Sequence, residues 1–388
     1  MTSHPLVPRS FPMTRSFPMT RSAGLERLSE FLASAGGAYA EARNTDRGPD
    51  RPPTSSALSP YLRRRLVTEA EVVEAARAAY GDEGSDKFVS EVFWRTYFKG
   101  HLETHPEAWT AYLAGAEAAR ERLEAEPGLR RTYEAAIEGR TGIDGFDDWV
   151  RELVETGWLH NHARMWFASI WIFTLRLPWE LGAAFFLRHL VDGDPASNTL
   201  SWRWVAGLHT RGKHYVARAQ NIARYTEGRF LPEGLDEYPD SLDESMPPRE
   251  TALAPADAAP AGDLALLLHL DDLHPESLPL SGSRVVRIAG LLAHAPDASD
   301  RVRAADRDAM EDALARAGAH FGCDASPVGS GWSGELPVVT AWAPVGPSAA
   351  SLPDGCLRVR RAWDEAAWPL STRGFTKVRK AIPQLLRS

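Results

Sequence analysis

Two short segments hold the residue types best able to do chemistry. Asp192-Gly-Asp194-Pro-Ala-Ser-Asn198 sets two carboxylates and an amide just ahead of Trp202 and Trp204. Upstream, Gly157-Trp-Leu-His-Asn161-His-Ala-Arg164-Met165 supplies a second amide and a guanidinium. Carboxylates and amides can fix and tune a polar ring system, and tryptophans can stack on bases or pass single electrons. Two acids two residues apart cannot both be buried without a cation, and Arg164 is the natural partner. An Asp-Gly-Asp alone would read more plainly as a helix-end turn with an aspartate cap.

Two further segments belong with these. Ser55-Ser56-Ala57-Leu58-Ser59-Pro-Tyr61 follows Tyr39 and Arg43-Asn44. Serine hydroxyls and free amides at a helix start bind anions well, although an ordinary capping loop has the same composition. Glu91-Val-Phe-Trp94-Arg95 sets a carboxylate, an aromatic ring and a guanidinium at helical spacing. The run Arg203, Arg211, Lys213, Arg218, Arg224 and Arg229 has only Glu227 against it, and Arg63-Arg64-Arg65 forms another basic cluster. These predict a rim that tracks phosphates, the plain alternative being a solvated helical face.

In order and spacing these segments resemble the photolyase/cryptochrome family. Its pattern reads Gly-Trp-x-His-Asn-x-x-Arg-Met, then Asp-Gly-Asp-x-Ala-x-Asn and Trp-x-Trp. Upstream it reads Tyr-x-x-x-Arg-Asn, Thr-Ser-x-Leu-Ser-Pro-Tyr and Trp-x-x-Glu-x-x-Trp-Arg-Glu-Phe. The likeness runs from about Phe17 to Phe230 and implies an all-helical FAD-binding domain. It implies that Ser55, Ser56, Ala57, Leu58 and Ser59 hold the diphosphate of FAD, with Tyr39, Arg95, Asn161, Arg164, Asp192, Asp194 and Asn198 completing the cofactor site. Asn161 and Asp192 would stabilise the reduced flavin. Glu91 would face a DNA lesion, with Trp94, Met165 and Trp204 around it. Two aromatic faces opposite each other, Trp94 and Trp204, could grip a flipped-out dinucleotide. Trp202 and Trp179 match the first two members of an electron-hopping chain, its third member open among Trp109, Tyr112 and Trp171.

The implied activity is a deoxyribodipyrimidine photo-lyase: blue-light-driven repair of cyclobutane pyrimidine dimers by electron transfer from reduced FAD. The other reading is a cryptochrome-like photosensor without repair. His160-Asn161 and Arg164-Met165 match members that repair cyclobutane dimers rather than (6-4) lesions. Several positions depart from the pattern. Phe88 replaces the leading Trp, His162 an Arg, Leu200-Ser a Gly-Gly, Arg203 a Gln, and Arg218-Ala-Gln-Asn-Ile an Arg-Ile-Phe-Asn-Pro. The antenna domain that usually precedes the flavin domain, and its light-harvesting chromophore, are not expected in their usual place. The expected partner is damaged DNA, bound by a cytoplasmic monomer without metal or membrane attachment.

The elements that must position these residues are mostly helices. A leader at 1–22 carries the tandem Arg9-Ser-Phe-Pro-Met-Thr and Arg15-Ser-Phe-Pro-Met-Thr20. Residues 23–231 read as the helical domain, with a helix at Gly24–Ala35 and a capping box at Thr68 and Glu71. Residues 232–262, rich in proline and acids, read as a flexible linker. Residues 263–388 alternate short strands, at Asp263–Leu270, Ser283–Ala289 and Leu336–Ala343, with a helix at Arg301–Ala319. They predict a small α/β domain of unassigned role, without a P-loop or Gly-x-Gly-x-x-Gly. The fold class is therefore mainly α. The 388 residues carry 44% hydrophobic content, a net charge of −8 and two cysteines. That balance argues against bulk affinity for nucleic acid, a disulfide framework or a structural zinc site.

Overall fold

A computed structural model of the chain describes residues 16–210, 212–244, 248–295, 297–329 and 331–387. The first copy of the tandem hexamer, together with Arg15, Arg211 and Pro247, lies outside the described residues.

The helical half runs α1 (Arg21–Leu32), α2 (Gly37–Ala42), α3 (Ser59–Arg63), α4 (Glu69–Thr104), α5 (Glu107–Ala125), α6 (Pro127–Ile137), α7 (Phe146–Thr156), α8 (Asn161–Ser169), α9 (Trp179–His189), α10 (Pro195–Ala206) and α11 (Ala219–Tyr225). The first helix starts earlier than its apolar pattern, at Arg21, because Thr20 caps it by accepting from the Ala23 amide. The long α4 bends at Gly81, whose φ of 68° is open to glycine at little cost. Trp149, Trp166 and Trp171 are fully buried between α7, α8 and the π-helical turn Ile170–Thr174. Burying each contributes at least roughly 1.5–3 kcal/mol.

The capping box of α4 is complete. The Thr68 hydroxyl accepts from the Glu71 amide and the Glu71 carboxylate accepts from the Thr68 amide. Burial would raise the Glu71 carboxyl, but hydrogen bonds from Arg21 and from the Thr68 amide and hydroxyl bring it down to about 2. A depressed carboxyl stabilises the fold above its unfolded value of 4.5, and that stability is lost as the pH falls toward 2. Glu71→Gln is therefore expected to flatten the fall of Tm with acid in this window. An unchanged acid limb contradicts the pairing.

The C-terminal part is a five-stranded parallel sheet in the order β3-β2-β1-β4-β5. Its strands are β1 (Gly262–His269), β2 (Ser283–Leu291), β3 (Ala325–Pro327), β4 (Val338–Ala341) and β5 (Leu357–Val359). Between and after them come α12 (Asp300–Phe321), α13 (Pro347–Ala350), α14 (Ala362–Ala367) and α15 (Thr376–Leu385). Open parallel sheets of this order take ligands beyond the carboxyl ends of the strands where the order reverses, here between β1 and β4. In this chain His269 Nε2 bonds to the Ala341 carbonyl across that point, and Arg63 reaches Asp271 just beyond β1.

The sheet shares a core with the N-terminal helices. One continuous apolar cluster joins Leu28, Leu62 and Val92 to Leu266, Ile288 and Val378. Residues 232–261 form no regular element among those described, but they are tied down. Glu244 pairs with Arg203, Thr251 N donates to the Thr104 carbonyl at 2.7 Å, and Asp257 N donates to the Arg358 carbonyl at 3.0 Å.

The segment after β5 lies along α4. Trp363 stacks on Phe93 at 4.8 Å and donates to the Thr96 hydroxyl, while Arg379 forks onto both oxygens of Asp86. The Trp368 ring sits against Gly100, where a Cβ would come within 2.8 Å of it.

The arginine run after α3 corrects the expectation of a basic rim. Arg63, Arg64 and Arg65 are buried. Arg63 pairs with Asp271, Arg64 with Asp306, and Arg65 with Glu69, Asp272 and Asp364. The physical reason is the supply of carboxylates from Glu69 and from the loop after β1, α12 and α14, which neutralise all three cations inside the protein.

Candidate functional site

Helix α8 begins at Asn161, whose side chain is exposed; the imidazole of His160 caps the helix by accepting from the His162 amide. One turn along, Arg164 turns back: its Nε donates to the Leu159 carbonyl at 2.9 Å and its Nη2 reaches both oxygens of Asp192, at 2.8 and 3.1 Å. The Asp192 side chain is only 1% exposed. Burial alone would raise its carboxyl; Arg164, by charge and hydrogen bond, together with Ser59 and Arg95, holds it below the ordinary value. Met165, on the same helix, is half-buried.

Asp194 caps α10 by accepting from the Ser197 amide at 2.8 Å. Arg95 and Lys99 of α4 approach its other oxygen at 3.4 and 3.5 Å. Asn198, a turn into α10, donates to the Ala183 carbonyl and so ties α10 to α9. The serine loop precedes α3. Ser56 accepts from the Leu58 amide, Ser59 accepts from the Trp158 indole, and Ala57 adopts a φ of 50°. Tyr39 is buried against Phe31 and Phe88.

Three buried donors without hydrogen bonds point to what the site takes. Among the described residues, Ser55 Oγ, Arg95 Nη1 and Lys99 Nζ are buried and make no hydrogen bond, the two cations being ion-paired with Asp194 alone. Buried donors left unpaired are costly, so an acceptor-rich anionic group fits their chemistry. Lys99 was not singled out in the sequence, although its spacing of one turn from Arg95 was a usable signal.

Glu91 is paired with Arg43 at 2.7 Å. Burial pushes its carboxyl above the ordinary range, against the opposing pull of Arg43 and Lys87. Trp94 and Trp204, expected to face each other, each have a stacking partner of their own. Phe375 lies on Trp94 at 3.8 Å and 18°, and Tyr215 lies on Trp204 at 5.7 Å and 25°. Phe375 carried no signal in the sequence.

Trp202 is buried against Phe186 and Trp171, with its ring over Gly182. Trp179, at the start of α9, has Tyr112 at 5.8 Å, and Tyr112 has Trp109 at 5.2 Å. Trp171 leads instead to Tyr133 at 6.0 Å. Gly182→Ala would drive a methyl into the Trp202 ring. It is expected to cost about 1–3 kcal/mol, checked by denaturant melts. A variant as stable as the wild type contradicts that packing.

The basic run beyond α10 is partly spent internally. Arg203 is buried against Glu244 and lies over the Trp179 ring, and Arg229 pairs with Asp46. Glu227, read as the lone acid of that run, binds Arg47 and Arg51. These contacts correct the reading of Arg203 and Arg229 as free phosphate contacts. No helix among the described residues is long and apolar enough to cross a membrane. Among those residues no three His, Cys, Asp or Glu side chains group to hold a metal.

A buried, cation-held carboxylate, a serine loop with unpaired donors and a tryptophan-lined helical core define a helical cofactor-binding domain. Residues 88–232 match the family described as FAD binding domain of DNA photolyase. That segment is similar to the FAD-binding domain of the photolyase/cryptochrome family. The chain is 35% identical over 216 residues to a deoxyribodipyrimidine photo-lyase of Streptomyces griseus, covering 48% of this chain and 46% of the relative. It is 33% identical over 240 residues to one from Thermus thermophilus, covering 60% and 54%. The chain thus spans about half the length of the curated relatives it matches. Among solved structures, a class III photolyase from Agrobacterium tumefaciens aligns over 54% of this chain and 43% of its own, with TM-score 0.44 and 25% identity.

Proposed function

We propose that the chain binds FAD and uses blue light to split cyclobutane pyrimidine dimers in DNA. The observation that carries this reading is the buried Arg164–Asp192 pair one helical turn from Asn161. An amide near a neutralised carboxylate is the kind of fixed polar partner that a flavin ring needs. The relatives named deoxyribodipyrimidine photo-lyase support the reaction class.

Bound FAD supplies one-electron chemistry under blue light. The chain's residues hold and aim it. Ser55, Ser56, Ser59 and the backbone at Ala57 and Leu58, with Arg95, take the diphosphate end, and Tyr39 packs nearby. Asp194 and Asn198 keep α10 in register with α9, and Asn161 and Asp192 face the ring. Glu91, held by Arg43 at 2.7 Å, is the carboxyl that hydrogen-bonds the lesion. Trp94, Met165 and Trp204 wall the lesion, and Trp202 and Trp179 relay electrons. Glu91→Ala is expected to keep FAD and lose at least tenfold in repair rate in a light-driven assay. Unchanged repair removes Glu91 from this role.

One observation favours a second reading. Phe375 stacks on one face of Trp94 at 3.8 Å and so takes up a face that a base could otherwise use. A photosensor keeps FAD, Trp202 and Trp179 and has no need of that face. Photoreduction of the bound flavin with dimers left intact selects it.

A further inference from the structure

We infer that Arg63 and Arg64 are positioning residues for Asp192, and that Asp271 and Asp306 of the α/β layer anchor them, so that the sheet sets where the flavin-side carboxylate stands. The inference rests on the FAD-binding reading. Its basis is how the two guanidiniums are spent. Arg63 Nε donates to the Gly193 carbonyl at 2.7 Å, while its Nη1 donates to Asp271 at 2.6 Å. Arg64 Nη1 donates to the Val191 carbonyl at 2.6 Å, while its Nε donates to Asp306 at 2.8 Å. The carbonyls on either side of Asp192 are thus held from one direction by two arginines, each fixed from the other by an acid of the sheet layer.

The clamp is rigid by construction. All four side chains are 10% exposed or less. Asp306 is itself held by His294 Nδ1 at 2.8 Å, and the Arg64 carbonyl accepts from the Leu273 amide at 2.7 Å. Arginine suits the task because one planar fork reaches a carbonyl and a carboxylate together, which lysine cannot do. The run also follows directly on the serine loop through α3, and Ser59 hydrogen-bonds Asp192. One short stretch of chain therefore touches the cofactor loop, the Asp192 backbone and the sheet. Sub-ångström placement of such groups decides how well they serve a bound ligand.

Arg65 supplies the internal control. It is equally buried and paired with Asp364, yet its hydrogen bonds go to Glu69, Asp272 and Asp364 and not to the backbone around Asp192. Asp271→Asn, Asp306→Asn and Asp364→Asn in the full chain should all lower Tm. Only the first two should weaken FAD binding, by roughly tenfold, a usual loss when an orienting partner is removed, and shift the visible absorption band of the bound flavin. If the asparagine variants fail to fold, Arg64→Lys carries the same test, since it keeps the charge and loses the fork. The readouts are FAD dissociation followed by flavin fluorescence, and the absorption spectrum. Wild-type affinity and spectrum in Asp271→Asn, Asp306→Asn or Arg64→Lys protein would overturn the inference. A wild-type chain that takes up no FAD would instead remove the flavin reading, and the inference with it.

Discussion

Arg164→Leu is expected to strip the chain of bound FAD and to lower its stability by about 3 kcal/mol, the low end for breaking a buried ion pair. The low end applies because the Arg164 side chain is 22% exposed, while that of Asp192 is 1% exposed. Removing the cation leaves a buried carboxylate without its principal neutraliser, and burial then drives that carboxyl upward. The Leu159 carbonyl loses its donor as well. A denaturant melt reads the stability and the flavin-to-protein absorbance ratio reads the cofactor. The pair Arg164→Leu with Asp192→Leu should regain much of the stability, because no charge is left stranded, and should still lack FAD. Stoichiometric FAD in the single variant would show that the pair is architectural only.

Phe375→Ala is expected to have the largest effect on DNA. The Phe375 ring lies over Trp94 at 3.8 Å and also meets the edge of Tyr97. Base-on-aromatic stacking is worth roughly 1–3 kcal/mol. A base that must first displace Phe375 forfeits a comparable sum, so removing the ring should tighten binding of a dimer-containing oligonucleotide about tenfold. Tryptophan emission should shift to the red as Trp94 becomes wetter. Adding Trp94→Ala should abolish the gain in affinity. Equal affinity in wild type and Phe375→Ala would mean that DNA does not use this face, in line with a photosensor.

What could be read from the sequence was local. The Thr68 and Glu71 capping box, the period of α12 and the three longer strands all lie within a few residues of their own signals. The need of Asp192 for a cation followed from electrostatics, and its partner was close in the chain. The strands β3 and β5 span three residues each, too short for an alternating pattern to register. Arg63, Arg64 and Arg65 resembled a phosphate rim because, Glu69 apart, their acids stand far along the chain, separated by 208, 242 and 299 residues for Asp271, Asp306 and Asp364. Phe375 and Trp363 settle on α4 through tertiary packing alone, which no local pattern encodes.

The central claim is light-driven repair, and one assay meets it directly. FAD-loaded, chemically reduced protein is mixed with a single-stranded oligonucleotide carrying one thymine dimer, in blue light and in darkness. The account predicts restored thymines in the light alone. Dimers left intact by protein whose flavin is reduced and photoactive would contradict it.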